Sequence, residues 1–137
     1  MESGRPKVLV VEDNDDLRDG LELLLRSEGY SVATAQDGEE ALHKLRDDSD
    51  FAVVLLDVVM PGMDGPELRR ELLKDPDLAA IPVVIMSATA EMEPTARALK
   101  AAGYMRKPID TNRLRTVLRA IVRFGKRDAR RSRRPDA

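Results

Sequence analysis

Short β-branched apolar runs alternate along the chain with segments whose apolar residues recur at helical spacing. The first run, Val8 to Val11, ends in the acids Glu12 and Asp13. Leu17, Leu21, Leu24 and Leu25 then line one face of a helix until Gly29 stops it. A weaker strand, Ser31 to Ala35, precedes a helix from about Asp37 to Arg46, with Ala41, Leu42 and Leu45 on one face. Phe51 to Leu56 is too continuously apolar for a strand with one wet face, so it predicts the centre of a sheet covered on both sides. It runs straight into Asp57. Pro61-Gly62 and Asp64-Gly65 signal turns, and a helix with Leu68 and Leu72 inward follows to about Lys74. Pro82 to Met86 is the next buried strand. Pro94 suits a first helical turn and not an interior, which predicts loop over 88–93 and helix over 94–102. A short strand, Tyr104 to Arg106, leads to a last helix from about Asp110 to Phe124, with Leu114, Val117, Leu118, Ile121 and Val122 inward.

Five strand–helix units of these lengths imply right-handed crossovers and a parallel sheet with helices on both faces. The expected fold class is α/β, a flavodoxin-like (βα)5 three-layer sandwich whose five-stranded sheet runs in the order 2-1-3-4-5. Ligands bind such open sheets beyond the carboxyl ends of the strands. The residues to inspect are therefore Glu12-Asp13, Gln36-Asp37, Asp57, Ser87 and Lys107-Pro108.

Length and charge narrow the picture. At 137 residues one domain is expected. The net charge of −2 hides an asymmetry: residues 126–137 carry six bases and two acids, leaving 17 bases against 23 acids in residues 1–125. We expect a single domain over 1–125 and a basic, disordered tail over 126–137 with no assigned task. The absence of cysteine excludes disulfides, thiolate metal sites and thiol catalysis, and it suits a cytoplasmic location. No apolar run approaches the ~20 residues of a membrane span, and the N-terminus lacks the pattern of a signal peptide. The single histidine, His43, falls opposite the apolar face of its helix and reads as solvated.

Three carboxylates, from Glu12, Asp13 and Asp57, converge at the ends of the adjacent first and third strands. Like charges about 4 Å apart repel by about 4 kcal/mol at an effective dielectric near 20, unless they are protonated or share a cation. A hard divalent ion such as Mg²⁺ is the natural remedy. The plainer alternative is that each acid caps the helix it precedes. Adding the other strand ends changes the balance. Lys107 supplies a fixed positive charge, Ser87 a hydroxyl, and Asp57 a nucleophile, which together suit phosphoryl transfer. Pro108 restricts the backbone of Lys107 and so helps set where that side chain projects.

The motifs VLVVEDN (8–14), LLDVVMPGMDG (55–65), SA (87–88) and YMRKP (104–108) resemble, in that order and at those strand ends, the receiver domain of bacterial two-component response regulators. The resemblance covers about residues 6–123. It implies that Asp57 is the phosphoacceptor, and that Glu12, Asp13, Asp57 and the backbone carbonyl of Val59 bind Mg²⁺ (or Mn²⁺). Ser87 and Lys107 match the phosphoryl-sensing hydroxyl and lysine. Tyr104 matches the aromatic whose rotation, coupled to Ser87, remodels the face made by the fourth helix, fifth strand and fifth helix. The implied donor is a sensor histidine kinase or histidine phosphotransfer protein, and a homodimer through that face is a further expectation. Nucleic acid and membranes are not expected partners. Two positions depart from the family pattern: Lys100 stands where a glycine commonly precedes the fifth strand, and Ala102 where a polar residue is frequent.

The resemblance implies a signalling module with self-catalysed phosphotransfer and dephosphorylation, not a metabolic enzyme. The alternative is a haloacid-dehalogenase-type phosphatase using Asp13 as nucleophile, since Asp13-Asn14-Asp15 gives an Asp-x-Asp. Against it, Leu17 occupies the usual threonine or valine position and no Gly-Asp motif follows Lys107. Flavodoxin-like FMN binding needs a phosphate-cradling loop after the first strand, and the acidic run 12–16 is its electrostatic opposite. No output domain is recognisable, which leaves a stand-alone receiver, a relay intermediate or a piece of a larger regulator.

Overall fold

The structure, a computed structural model, describes residues 4–89 and 92–133. Its elements run β1 (Lys7–Val11), α1 (Asp15–Ser27), β2 (Ser31–Ala35), α2 (Gly38–Asp47), β3 (Val53–Asp57), α3 (Gly65–Leu73), α4 (Pro76–Ala79), β4 (Val83–Ser87), α5 (Met92–Ala98), β5 (Gly103–Arg106) and α6 (Thr111–Arg133). The strands form one parallel sheet in the order β2-β1-β3-β4-β5. This is the flavodoxin-like arrangement that the sequence predicts.

Alternation along β1 divides the core into two layers. Leu9 and Val11 face one side with Leu56, Ile85, Leu45 on α2, and Leu68 and Leu72 on α3. Val8 and Val10 face the other side with Val53, Leu55, Leu21 and Leu25 on α1, and Leu114 and Leu118 on α6. Every residue of β3 is buried, as a central strand covered on both faces requires. Each fully buried leucine contributes about 1.5–3 kcal/mol relative to exposure, so the two layers together hold the strand ends in place. At the free edge of the sheet, the β2 carbonyls of Val32 and Thr34 accept from Arg26 and Lys44, which obstructs pairing with another chain.

The structure departs from the sequence-based expectation at three helix boundaries. A short extra helix, α4, follows α3, with Asp75 as its N-cap and Pro76 opening it. The helix expected over 94–102 is α5, which starts two residues earlier, with Pro94 in its first turn, and stops at Ala98. The last helix, α6, ends at Arg133 and not at about Phe124. Residues 134–137, the end of the tail expected over 126–137, lie outside the described residues. His43 is exposed, and Met60 is buried under the loop after β3.

The end of α5 has a specific physical cause. Lys100 adopts a left-handed conformation with φ +54°, its N–H donates to the Arg97 carbonyl at 3.1 Å, and the Ala101 N–H donates to the Ala96 carbonyl at 2.9 Å. These are the two bonds of a Schellman cap, completed by the contact of Ala101 with the cluster containing Ala96. Such a position favours glycine, because a Cβ costs about 1–2 kcal/mol there and the greater unfolded-state freedom of glycine returns only part of that. Lys100→Gly is therefore expected to stabilise the fold by about 0.5–1 kcal/mol, read as a higher urea midpoint at unchanged slope. A lower midpoint would show that the Lys100 side chain contributes more than its backbone strain costs.

Candidate functional site

Parallel pairing of β1 with β3, Val11 opposite Leu56, brings the residues that follow both strands to one edge of the sheet. Glu12 is fully buried there, Asp57 is 4% exposed, and Asp13 faces solvent. One carboxylate oxygen from each of the three lies within 4.8 Å of the others. Lys107, at the end of β5, reaches across β4 to the same point. Its Nζ lies 2.7 Å from Glu12 Oε1 and 3.3 Å from Asp57 Oδ1. The lysine is placed by its own backbone, whose N–H donates to the Ser87 carbonyl at 2.8 Å, and the Lys107–Pro108 peptide is cis.

Glu12 is held by more than the lysine. Its Oε2 accepts from the Asn14 N–H at 3.1 Å, and its backbone carbonyl accepts from Arg18 Nη1 at 2.9 Å. Asn14 also caps α1, its side chain accepting from the Leu17 N–H. Sequence reasoning passed over Arg18 and saw Asn14 only as part of a motif. The one available signal was an amide-bearing residue three positions before the first apolar residue of a helix.

Three acids against one lysine leave an excess of negative charge in a buried place. Burial, and next the charge of Glu12, push the Asp57 carboxyl up to about 7; Lys107 opposes this, and contacts with Glu12 and Asp13 reinforce it. For Lys107, burial favours the neutral amine, but the hydrogen bond to Glu12 and the charge of Asp57 outweigh it and raise its pKa. The site thus holds a permanent cation beside a carboxylate that is costly to ionise. Hard oxygen donors at this spacing fit a small divalent cation, which would relieve the repulsion.

The loop after Asp57 is tied closely to the strand. The Val58 N–H donates to the Met86 carbonyl and the Gly65 N–H to the Val58 carbonyl, both at 3.1 Å. A Cβ on Gly65 would lie 3.0 Å from Val58 Cα and 3.1 Å from the Asp57 carbonyl oxygen, so α3 begins close against the backbone of Asp57 and Val58. The Val59 N–H donates to Asp57 Oδ1 at 3.4 Å while its side chain, 69% exposed, stands at the mouth of the site. Ser87, buried at the end of β4, has its Oγ 3.0 Å from Thr89 Oγ1 and accepts from the Thr89 N–H at 3.1 Å. Tyr104, paired in register with Ile85, is 36% exposed. The fold therefore brings Glu12, Asp13, Asp57 and Lys107 into one cluster, sets Ser87 and Val59 on its rim, and leaves Tyr104 on the face of β5.

Comparisons with known proteins bear on the family and the fold. The family model for the response regulator receiver domain matches residues 8–119. The transcriptional regulatory protein AfsQ1 of Streptomyces coelicolor is 34% identical over 126 residues, covering 90% of this chain and 54% of its own length. The response regulator PleD of Caulobacter vibrioides is 40% identical, the match covering 86% of this chain and 26% of PleD. The chain thus spans about half or less of the length of these curated relatives. Among solved structures, the chemotaxis protein CheY4 of Vibrio cholerae superposes with a TM-score of 0.78 at 30% identity, covering 85% of this chain and 98% of that one. The receiver domain of the sensor histidine kinase PA1611 of Pseudomonas aeruginosa, solved with a magnesium ion in its active site cleft, superposes with a TM-score of 0.78 at 26% identity, covering 86% and 98%. These likenesses do not favour the phosphatase alternative built on Asp13. Among the described residues, no helix is long and apolar enough to cross a membrane.

Proposed function

This chain belongs to the response regulator receiver domain family of two-component systems, and on that premise we propose that its buried Asp57 accepts a phosphoryl group from a partner's phosphohistidine. The observation that carries the proposal is the convergence of Asp57 with Glu12 and Asp13 at 4.8 Å or less, with Lys107 Nζ 3.3 Å from the Asp57 carboxylate. In the reaction an Asp57 carboxylate oxygen forms a bond to phosphorus as the phosphorus–nitrogen bond to imidazole breaks. The imidazole leaves with the proton it needs for neutrality. Lys107 is placed to exchange its contact with Asp57 for the equatorial phosphoryl oxygens, while Glu12 keeps its ammonium aligned. Asp13, Asp57 and the Val59 carbonyl would hold Mg²⁺ (or Mn²⁺), with Glu12 beside them, and the ion would neutralise the charge of donor and nucleophile. Water attacking the same phosphorus breaks its bond to the Asp57 oxygen, releasing inorganic phosphate and the free carboxylate, and the side chains of Val59 and Thr89 flank its path.

The switch that follows uses Ser87 and Tyr104. A dianionic phosphoryl group draws the Ser87 hydroxyl away from Thr89, which opens space for Tyr104 to turn inward from its exposed position. The face that changes is α5–β5–α6, which is the fourth helix, fifth strand and fifth helix of the sequence reading, shifted in number by the short α4. A downstream protein or a second copy of the chain reads that face. We take residues 1–125 as the receiver unit and the cytoplasm as its place of work.

Incubation with acetyl phosphate and Mg²⁺ followed by intact-protein mass measurement tests the proposal. One phosphoryl group per chain is expected with metal and none with a chelator, and Asp13→Ala should slow incorporation by about 100-fold or more. Undiminished incorporation in the chelator would sink the proposed role of the acid cluster.

A further inference from the structure

Among the described residues, Arg69 is the one arginine that is buried. It lies on α3, is 5% exposed, and among the described residues its Nη1 has no hydrogen-bond partner. Its acceptors are carbonyls, not a carboxylate: Nε donates to Leu99 at 2.9 Å and Nη2 to Lys100 at 3.4 Å. A buried guanidinium is tolerated there because those carbonyls are the negative end of α5, left unpaired by the Schellman turn. The left-handed backbone of Lys100 is part of the same arrangement, since its carbonyl is one of the two acceptors.

The position of this contact in the fold gives it a consequence for signalling. Gly65, whose N–H donates to the Val58 carbonyl and which leaves no room for a Cβ beside the Asp57 and Val58 backbone, opens α3, and Arg69 stands one helical turn further along. Beyond its acceptors, the Ala102 N–H donates to the Val83 carbonyl at 2.7 Å and β5 begins at Gly103, one residue before Tyr104. One turn of helix and one side chain therefore span the distance from the phosphoacceptor to the corner where α5 hands over to β5. The fork has one good hydrogen bond, one long one and, at Nη1, an amino group with no partner among the described residues. Arginine can exchange carbonyl partners within such a fork while keeping the helix end neutralised, which a single-point ammonium cannot do.

We propose that Arg69 is a positioning residue that couples the loop after Asp57 to the C-terminal end of α5 and the start of β5, as a second route beside Ser87 and Tyr104. The inference rests on the receiver reading above. A phosphoryl group on Asp57 shifts the start of α3, the guanidinium carries that shift to the Leu99 and Lys100 carbonyls, and β5 moves with them.

The test is nuclear magnetic resonance of the full chain titrated with beryllofluoride, a phosphoryl mimic, in the presence of Mg²⁺. In the wild type, backbone amides 57–59, amides 99–103 and the Arg69 Nε–H signal are expected to shift with a common midpoint. In Arg69→Met, amides 57–59 should respond as before while the response at 99–103 falls at least about twofold, with Arg69→Lys in between. An undiminished response at 99–103 in the variants overturns the inference. So does a wild-type Arg69 Nε–H signal that stays in place while amides 57–59 move, and that measurement stands even if Arg69→Met does not fold. Failure of the receiver reading looks different: amides 57–59 would not respond in the wild type, which removes the inference along with its basis.

Discussion

Asp57→Asn is expected to abolish phosphoryl incorporation from acetyl phosphate, with any residual rate at least about 1,000-fold below the wild type. The substitution keeps the shape of the side chain and removes only its nucleophilic charge. No neighbour can take its place. Glu12 is fully buried with Oε1 on Lys107 and Oε2 on the Asn14 N–H, so neither oxygen is available to an incoming phosphorus. Asp13 faces solvent, outside the 3.3 Å contact that joins Lys107 to Asp57. Intact-protein mass spectrometry reads the result, with far-ultraviolet circular dichroism as the control for folding. Labelling that persists in Asp57→Asn would move the phosphoacceptor elsewhere and end the assignment.

The same substitution should have an opposite effect on stability. Without divalent metal, the Asp57 carboxyl is pushed up to about 7 in the folded protein, against 3.8 when free of its neighbours. A carboxyl with a raised pKa binds more protons folded than unfolded, so its contribution is least unfavourable at low pH. Stability is lost as pH rises from about 3.8 through about 7, and the loss levels off above that. The full shift corresponds to on the order of 4 kcal/mol, a large fraction of the stability of a domain this size. Asp57→Asn removes the titration. In metal-free buffer the variant should become progressively more stable than the wild type between about pH 4 and pH 8, as read by urea unfolding at each pH. Adding Mg²⁺ should narrow the gap at pH 8, because an ion bound by the folded cluster stabilises only the form that holds it. A stability difference that is flat across this range would show that Asp57 is not strained by its neighbours.

The two expectations share one origin. The burial that raises the cost of ionising Asp57 is also what the proposed reaction would offset with a metal and a lysine, so both expectations test the same arrangement of charge.

Much of this was legible in the residues themselves. The β-branched runs ending at Val11, Leu56 and Met86 identify strands by their continuous apolarity, and the rule that parallel sheets place ligands at strand ends then picks out Glu12, Asp57, Ser87 and Lys107. Other features left no such signal. The short α4 depends on an Asp-Pro start in a segment with little apolar periodicity. The early stop of α5 depends on a non-glycine residue in a left-handed conformation, against its own preference. No local pattern marks Arg69 for burial in a helix that ends in Arg-Glu-Leu-Leu, and its burial follows from where α5 ends.

By itself the sequence determined the order of strands and helices, the faces they bury and the residue types at each strand end, because these follow from spacing along one segment. Only the tertiary structure decided that Lys107 binds Glu12 more closely than Asp57, that burial and Glu12 push the Asp57 carboxyl well above the usual carboxylate range, and that a buried arginine joins α3 to α5. Those are properties of groups far apart in the chain, and their energies depend on distance and burial, which no local pattern encodes.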